Sequence, residues 1–345
     1  MSNGMKWLLY ERHDAPTIAT GWIARVGSAN ERPGITGISH FFEHMMFKGT
    51  STRPPGEFDR VMEANGGRNN AYTSSDVTVY QNWFPASATE LIFDLEADRM
   101  RNLDFNPEKV ESERQVVYSE RRSSVDNDNL GTLVEQMQAT AFVAHPYQIP
   151  TLGWPSDIEG WKIQDLKDYY TKYYAPNNAT MFIVGDVSPE AIFRLADKYL
   201  AGIKAQPAPE PVTTKEPEQI GERRIRILRE AQTPIVAMAW HAGAAKDRQT
   251  RVMEVLLSIL GSGDSSRLHQ RLEIDRACGR QVKHRFHVAP GGPAQRLDRP
   301  VAASQIVGIV PPRAVGGGDD QRQFLAIQQR ARQRSVQLHQ QGGTG

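Results

Sequence analysis

The sequence has very little cysteine, no long hydrophobic run and almost no net charge. Its only cysteine, Cys278, excludes an intrachain disulfide and leaves the redox compartment open. No apolar run approaches the roughly 18 to 20 residues that a helix needs to cross a bilayer. The formal net charge is +1, which gives no electrostatic footprint for nucleic acid or an anionic membrane surface. We therefore expect no nucleic-acid partner and no membrane span.

The remaining composition is typical of a globular chain. The hydrophobic fraction of 39% and the charged fraction of 23% argue against wholesale disorder. The length of 345 residues suits two domains, at roughly 150 residues each. The N-terminal residues carry no signal peptide, because charge follows a short apolar stretch at once. The compartment therefore stays unknown: the sequence is cytoplasmic as written, and a periplasmic location is possible if an export signal precedes it.

The patterning of apolar residues over residues 1–203 predicts strands near both ends and helices between them. Strands are expected in KWLLYER, TIATGWIARVGS, NNAYTSSDVTVYQNWFP and NATMFIVGDV. Helices are expected in GITGISHFFEHMMFKG, PPGEFDRVMEANGG, SATELIFDLEADRMRNL, NPEKVESERQVVYSERRSS, NLGTLVEQMQATAF, IQDLKDYYTKYY and SPEAIFRLADKYLAGI. This order favours an α+β fold over a doubly wound sheet.

A proline- and charge-rich segment at 204–222 predicts a linker between two domains, 1–203 and 223–345. After it, the order strand, strand, helix returns in RRIRILRE, TPIVAMAWHAG and RQTRVMEVLLSILGSG, which indicates an internal duplication. The second copy has EVLLSILGSG where the first has HFFEHMMFKG, so the fold alone does not require the histidines. From about residue 276 the chain is rich in Arg, Gln and Gly, which predicts an incomplete second domain with a disordered tail.

The first predicted helix carries His40, Glu43 and His44. Residues four apart share a helix face, so the imidazoles of His40 and His44 can bind one ion. Glu43 can lean over the same face without being a ligand. Zinc prefers four ligands, and a hydrolytic zinc keeps one position for water. One further protein ligand is therefore needed, and a carboxylate from another segment is the usual candidate.

The helix NPEKVESERQVVYSERRSS offers that carboxylate. Glu113 and Glu120 are seven residues apart, about two helical turns, so they lie on one face and either could reach the histidine pair. Glu111 points elsewhere. The competing interpretation is a helix with two hydrogen-bonded core histidines, which would leave Glu43 half-buried and unpaired. Because a bound cation removes that cost, the pattern favours a metal site.

The motif HFFEHMMFKGT, with a glutamate on a later helix, resembles the H-x-x-E-H motif of the inverzincins. More closely, the chain resembles the pitrilysin/insulinase (M16) family of zinc metallopeptidases, in the small-subunit branch with the mitochondrial processing peptidases and their bacterial relatives. The similarity extends from about residue 4 to about residue 272. It includes NGGRNNAYTSSDVTVY, LEADRM, ESERQVVYSERR, HPYQIPTLGW, YYAPNNATMFIVGDV and LGSGDSSRLHQRL, in the expected order.

This resemblance implies a role for each residue of the motif. One Zn²⁺ per chain would be held by His40, His44 and Glu120. Glu43 would be the general base that acts on a zinc-activated water. Glu113 would support the site without being a main ligand. The implied fold has two related α+β domains, each an antiparallel-rich sheet packed with helices, with the second incomplete here.

Two further segments have alternative interpretations. The family implies that NNAYTSSDVTVY is an edge strand that pairs with an extended substrate, with Asn70 and Ala71 nearest the peptide. From the residues alone, an ordinary strand pair is the stronger interpretation. His145 could be a metal ligand in isolation, but the prolines of HPYQIP favour a loop residue.

The function implied by the resemblance is that of a zinc-dependent endopeptidase or oligopeptidase acting on unfolded peptides. Family members enclose the substrate between two such halves, which implies a homo- or hetero-oligomer with another chain of this family. The substrate-binding arginine and tyrosine that family enzymes supply from the half without the zinc motif are not located in this sequence. The alternative is a non-catalytic partner or scaffold subunit of a peptidase pair.

Overall fold

The chain divides into two units in the computed structural model, which describes residues 1–231 and 235–271. The first unit comprises residues 1–226 with the short segment 244–246. The described residues of the second unit are 227–231, 235–243 and 247–271. Within these described ranges, no helix has the length and apolar character needed to cross a membrane.

A five-stranded sheet forms the base of the first unit. Its strands are β1 (Lys6–Glu11), β2 (Thr17–Ala24), β3 (Arg68–Thr73), β4 (Thr78–Pro85) and β5 (Ala179–Gly185). They lie in the order β1-β5-β2-β4-β3, and only the β1–β5 pair is parallel. The segment NNAYTSSDVTVYQNWFP thus forms a hairpin of β3 and β4. In the described part of the chain β3 has a strand on one side only, so it is an edge strand.

The helices of the first unit follow the predicted segments. They are α1 (Ile38–Met45), α2 (Glu57–Ala64), α3 (Thr89–Arg101), α4 (Pro107–Arg121), α5 (Asn129–Ala141), α6 (Pro155–Gly160), α7 (Ile163–Tyr173) and α8 (Pro189–Tyr199). Helix α6 was not expected from the sequence. Helix α4 continues into a π-helical turn, Arg122–Asp126. The predicted α+β fold with an antiparallel-rich sheet is confirmed.

The core lies between the helices and one face of the sheet. Because side chains alternate along a strand, every second residue of β2 and β4 points toward the helices. Trp22 and Tyr80 are both fully buried there and stack at 4.6 Å between ring centroids. Phe42 of α1 packs against this layer, and its carbonyl oxygen accepts a hydrogen bond from the Tyr80 hydroxyl at 3.3 Å. The sheet is thereby fixed directly to α1.

A buried ionic network ties α3 to the sheet. Glu96 and Arg99 form an ion pair at 2.6 Å, and each is 1% exposed. The carboxylate of Glu96 also accepts hydrogen bonds from the indole of Trp22 at 2.8 Å and the amide of Asn82 at 2.6 Å. A charge pair this deep is tolerated because both oxygens of Glu96 have hydrogen-bond donors.

The second unit contains α9 (Arg248–Gly261) and α10 (Arg267–His269) in its described part. The helix predicted in RQTRVMEVLLSILGSG is confirmed. The two strands predicted just before it are wrong: described residues 223–231 and 235–243 carry no strand. A strand needs a neighbouring strand to take its backbone hydrogen bonds, and none pairs with these residues in the described part. The tail predicted from about residue 276 lies outside the described residues.

The segment 204–222, predicted as a linker, has no helix or strand but is held against the first unit. Glu216 is 8% exposed, and its carboxylate accepts the backbone N–H groups of Val143, Ala144 and His145 at 2.9 to 3.1 Å. Arg223 donates to the carbonyl oxygens of Thr140 and Ala141 at the end of α5. The domain boundaries 1–203, 204–222 and 223–345 themselves stay a prediction.

Candidate metal centre

Helix α1 begins at a turn that only a glycine fits. Gly37 precedes the helix with φ +83°, and a Cβ placed there would lie 2.6 Å from the carbonyl oxygen of Leu152. Glu31 accepts the backbone N–H groups of Gly37 at 2.7 Å and Ser39 at 2.8 Å. These bonds satisfy donors that the helix itself leaves free. They fix the backbone immediately before the first histidine of the motif.

Three donor side chains converge in front of α1. His40 and His44 lie one turn apart on the helix, and Glu120 reaches them from the last turn of α4. The Oε2 atom of Glu120 lies 3.6 Å from Nε2 of His40 and 3.2 Å from Nε2 of His44. One ligand atom from each residue lies within 4.8 Å of the other two, and no other such group occurs among residues 1–231 and 235–271.

This arrangement fits a zinc ion in both chemistry and spacing. Two imidazole nitrogens and one carboxylate oxygen are among the ligands that zinc prefers. Atoms bound about 2 Å from a tetrahedral zinc lie roughly 3 to 3.5 Å apart, close to the separations at Glu120. Three protein ligands leave a fourth position open, as in catalytic rather than structural zinc sites.

The surroundings of the three residues shift their pKa values in different directions. Burial, followed by the charge of His44, lowers the pKa of His40 to about 4, so its imidazole is neutral at pH 7. Burial also acts to lower the pKa of His44, but hydrogen bonds with Glu113 and Glu120 outweigh it and raise that pKa to about 9. The hydrogen bond with His44 lowers the pKa of Glu120. A metal ion that binds here therefore displaces a proton from His44.

Glu113 lies behind His44 rather than among the converging atoms. Its Oε1 is 2.8 Å from Nδ1 of His44, on the side of the ring opposite to the Nε2 that faces Glu120. In metal sites a carboxylate in this position orients the histidine, and the supporting role of Glu113 stays a prediction. Its other oxygen, Oε2, lies 2.9 Å from the ammonium of Lys48, a contact that the sequence analysis did not anticipate.

Glu43 is half-buried and lies outside the group of converging donor atoms. The hydroxyl of Thr73, at the end of β3, donates a hydrogen bond of 2.6 Å to Oε2 of Glu43. Burial raises the pKa of Glu43, while this hydrogen bond acts in the opposite direction. Thr73 is a second residue that the sequence analysis missed, and no local signal marks it, because 30 positions separate it from Glu43.

The other predicted residues lie where their strand and loop place them. Asn70 and Ala71 are adjacent on β3, so their side chains point to opposite faces of the sheet. Asn70 is exposed, whereas Ala71 packs against the core. His145 lies in a loop, where Nδ1 accepts the backbone N–H of Tyr147 at 3.2 Å. His145 is not part of the donor group.

Comparison with known proteins places this geometry in a family. The profile described as "Insulinase (Peptidase family M16)" matches residues 7–154, and that described as "Peptidase M16 inactive domain" matches residues 160–291. The zinc protease PqqE of Helicobacter pylori is 35% identical over 252 residues, which are 72% of this chain and 56% of that relative. The probable mitochondrial-processing peptidase subunit beta of Arabidopsis thaliana is 25% identical over 265 residues, which are 76% of this chain and 50% of that relative.

A solved structure agrees with these matches. The crystal structure of a protease from Helicobacter pylori superposes with a TM-score of 0.83 at 30% identity, covering 90% of this chain and 73% of that one. The chain spans about half the length of the two curated relatives, at 56% and 50%. At the level of the family, these relatives are zinc proteases and processing-peptidase subunits. The chain belongs to the insulinase family of metallopeptidases, peptidase family M16.

Proposed function

We propose that this chain is a zinc-dependent endopeptidase or oligopeptidase that hydrolyses peptide bonds of unfolded peptides. His40, His44 and Glu120 would hold one Zn²⁺, and Glu43 would be the general base. The observation that carries the proposal is the convergence of one imidazole nitrogen from each histidine and one oxygen of Glu120 within 4.8 Å. The family's zinc proteases support it, although this chain spans only part of their length.

The residues around the site divide the chemistry between them. A bound zinc ion polarises the scissile carbonyl and lowers the pKa of a coordinated water to about 7. Glu43 would take the proton of the attacking water and then pass it to the leaving amine. A carboxylate suits both steps when its pKa is above the ordinary value, and burial raises the pKa of Glu43. Thr73 would hold Oε2 of Glu43, which leaves Oε1 for the proton.

The edge strand β3 offers a place for the substrate. Its open side can pair with an extended peptide through backbone hydrogen bonds, whatever the peptide's side chains. Asn70 and Ala71 lie in the middle of this strand, and Thr73 at its end touches Glu43. A peptide added along β3 would therefore run toward the general base. Only an unfolded segment can add as a strand, which supports unfolded peptides as the substrate class.

A second chain of the same family would complete the enzyme. One of the curated relatives is named as a subunit of a processing peptidase. The second family profile, over residues 160–291, is that of an inactive domain, so the donor set of the first unit would supply the chemistry. Partner residues would then help to enclose the peptide.

The test combines a zinc assay with cleavage of an internally quenched peptide by the full chain. Glu43→Gln should keep zinc near one ion per chain and reduce turnover by about 100-fold or more, because it removes only the proton transfer. His44→Ala should lose both zinc and cleavage. His145→Ala is the matched control, since it changes a histidine outside the donor group.

The outcomes separate the peptidase from the alternative function. Zinc together with chelator-sensitive cleavage supports the enzyme. Zinc without cleavage, even after a second family chain is added, supports a non-catalytic scaffold subunit. A Glu43→Gln protein that is free of zinc would contradict the separation between ligand and base.

A further inference from the structure

The carboxylate of Glu113 lies between His44 and Lys48, and Lys48 has no role in the mechanism above. The side chain is 3% exposed. In the described part of the chain, Oε1 contacts Nδ1 of His44 at 2.8 Å and Oε2 contacts Nζ of Lys48 at 2.9 Å. A buried carboxylate is costly unless both oxygens are paired. Lys48 therefore balances a charge that His44 alone would leave half-satisfied.

The turn that follows α1 sets the position of Lys48. His40 and His44 lie one turn apart on α1, and Lys48 comes three residues after the helix ends at Met45. The backbone N–H of Lys48 donates to the carbonyl oxygen of Met45 at 3.0 Å, which fixes the turn. The ammonium can thus reach Glu113 from the same direction as the histidine ring.

The ion pair with Lys48 holds the Glu113 carboxylate in the orientation in which it can bind Nδ1–H of His44. An ionised carboxylate accepts a hydrogen bond from Nδ1–H of His44. The lone pair of Nε2 is then available to a metal ion, on the side of the ring that faces Glu120. Without the ammonium, Oε2 of Glu113 would be buried with no cation beside it. The carboxylate would then be free to rotate toward solvent, and its hydrogen bond with Nδ1–H of His44 would weaken.

We propose that Lys48 is a positioning residue of the zinc centre, which acts through Glu113 to hold His44 with Nε2 free for the metal ion. The proposal rests on the metal site proposed above. The Lys48–Glu113 ion pair would then contribute to zinc affinity rather than to the stability of the fold. Residues that orient a metal ligand from outside typically change affinity by about 10- to 100-fold when they are replaced.

The experiment measures zinc affinity of the full chain by competition with a chromophoric chelator. Lys48→Met removes the charge and keeps the length of the side chain, and we expect the zinc dissociation constant to rise by about 10-fold or more. Lys48→Arg restores a cation and should stay within about threefold of the native protein. Lys109→Met is the matched control, since Lys109 pairs with Asp104 at 2.8 Å away from any histidine, and it should leave the affinity unchanged.

The possible results are distinguishable from one another. If the native chain binds no zinc, the proposed function fails. If the native chain binds zinc and Lys48→Met binds it equally tightly, the role of Lys48 is refuted while the metal site stands. Thermal unfolding of the chelator-treated proteins checks the fold. Should Lys48→Met unfold, Lys48→Gln is measured instead, and native-like affinity in that variant refutes the role in the same way.

Discussion

Replacing Thr73 with valine would remove one hydroxyl group and leave the shape of the side chain almost unchanged. The hydroxyl donates a 2.6 Å hydrogen bond to Oε2 of Glu43. A hydrogen bond to a charged group contributes about 1.5 to 3 kcal/mol. Because Glu43 is half-buried, water can replace part of that bond. Removing the bond also removes a contribution that lowers the pKa of Glu43, but the carboxylate loses the contact that holds its orientation. We expect the loss of orientation to dominate and to cost about 1 to 2 kcal/mol of transition-state stabilisation, which lowers kcat by about 5- to 30-fold.

Steady-state cleavage of a quenched peptide gives kcat and KM separately. Thr73→Val should lower kcat with little change in KM and none in zinc content, because Thr73 contacts the base and not the converging donor atoms. Thr73→Ser keeps the hydroxyl and should restore most of kcat. The reasoning is refuted if valine leaves kcat at the native value. It is also refuted if serine is as slow as valine.

Three further predictions concern the stability of the first unit and the segment 204–222. Glu96→Gln leaves Arg99 as a buried charge without its carboxylate, so urea unfolding should show a loss of about 3 to 5 kcal/mol; a loss under 1 kcal/mol would contradict this. Burial acts to raise the pKa of Asp98, but hydrogen bonds from three side chains hold it below its ordinary value of 3.8. Ionised Asp98 therefore stabilises the fold above pH 3.8 and this contribution is lost as the pH falls further; Asp98→Asn should flatten the acid-unfolding profile there, and an unchanged profile would argue against it. Glu216→Gln should speed tryptic cleavage between residues 204 and 222, whereas Glu218→Gln, on an exposed neighbour, should not.

The candidate metal site is only partly predictable from the residues. The spacing of His40 and His44 places both rings on one helix face, and the structure shows them together. The spacing alone does not show whether Glu113 or Glu120 is the ligand. A separation of seven residues places both on one face of α4 but does not say which of them lies opposite the histidines. The packing of α4 on α1 decides between them: Glu120 meets the Nε2 atoms, and Glu113 reaches Nδ1 of His44.

Residues that act through others were harder to find. Thr73 meets Glu43 only because β3 lies beside α1, and that neighbourhood depends on the whole sheet. Lys48 could have been noticed from its four-residue spacing after His44, but its partner Glu113 is 65 positions away. Long-range contacts of this kind leave no periodic trace in a sequence.

The difference between local periodicity and long-range contacts also explains why the first unit is better predicted than the second. Seven of the eight helices α1 to α8 are predicted by local periodicity, and only the short α6 is missed. The strands TIATGWIARVGS and NATMFIVGDV were also predicted well, because they have neighbours on both sides of the sheet. Residues 223–231, where arginine alternates with isoleucine and leucine, and the apolar residues 235–243 have no strand beside them in the described residues. A strand is stable only when another strand lies beside it, so prediction from composition alone gives too many strands.

The open side of β3 also has a consequence for handling the protein. Among the described residues no strand lies on that side, and a strand edge without a neighbour can pair with the same edge of another copy, which leads to aggregation. The strand carries two features that oppose such self-pairing: it is only six residues long, and it begins with Arg68, whose guanidinium lies 5.1 Å from the ring centre of Trp83. Positive charge at a short edge discourages identical strands from meeting while leaving uncharged or acidic segments free to bind. Replacing Arg68 by a neutral residue should therefore lower the solubility of the purified protein.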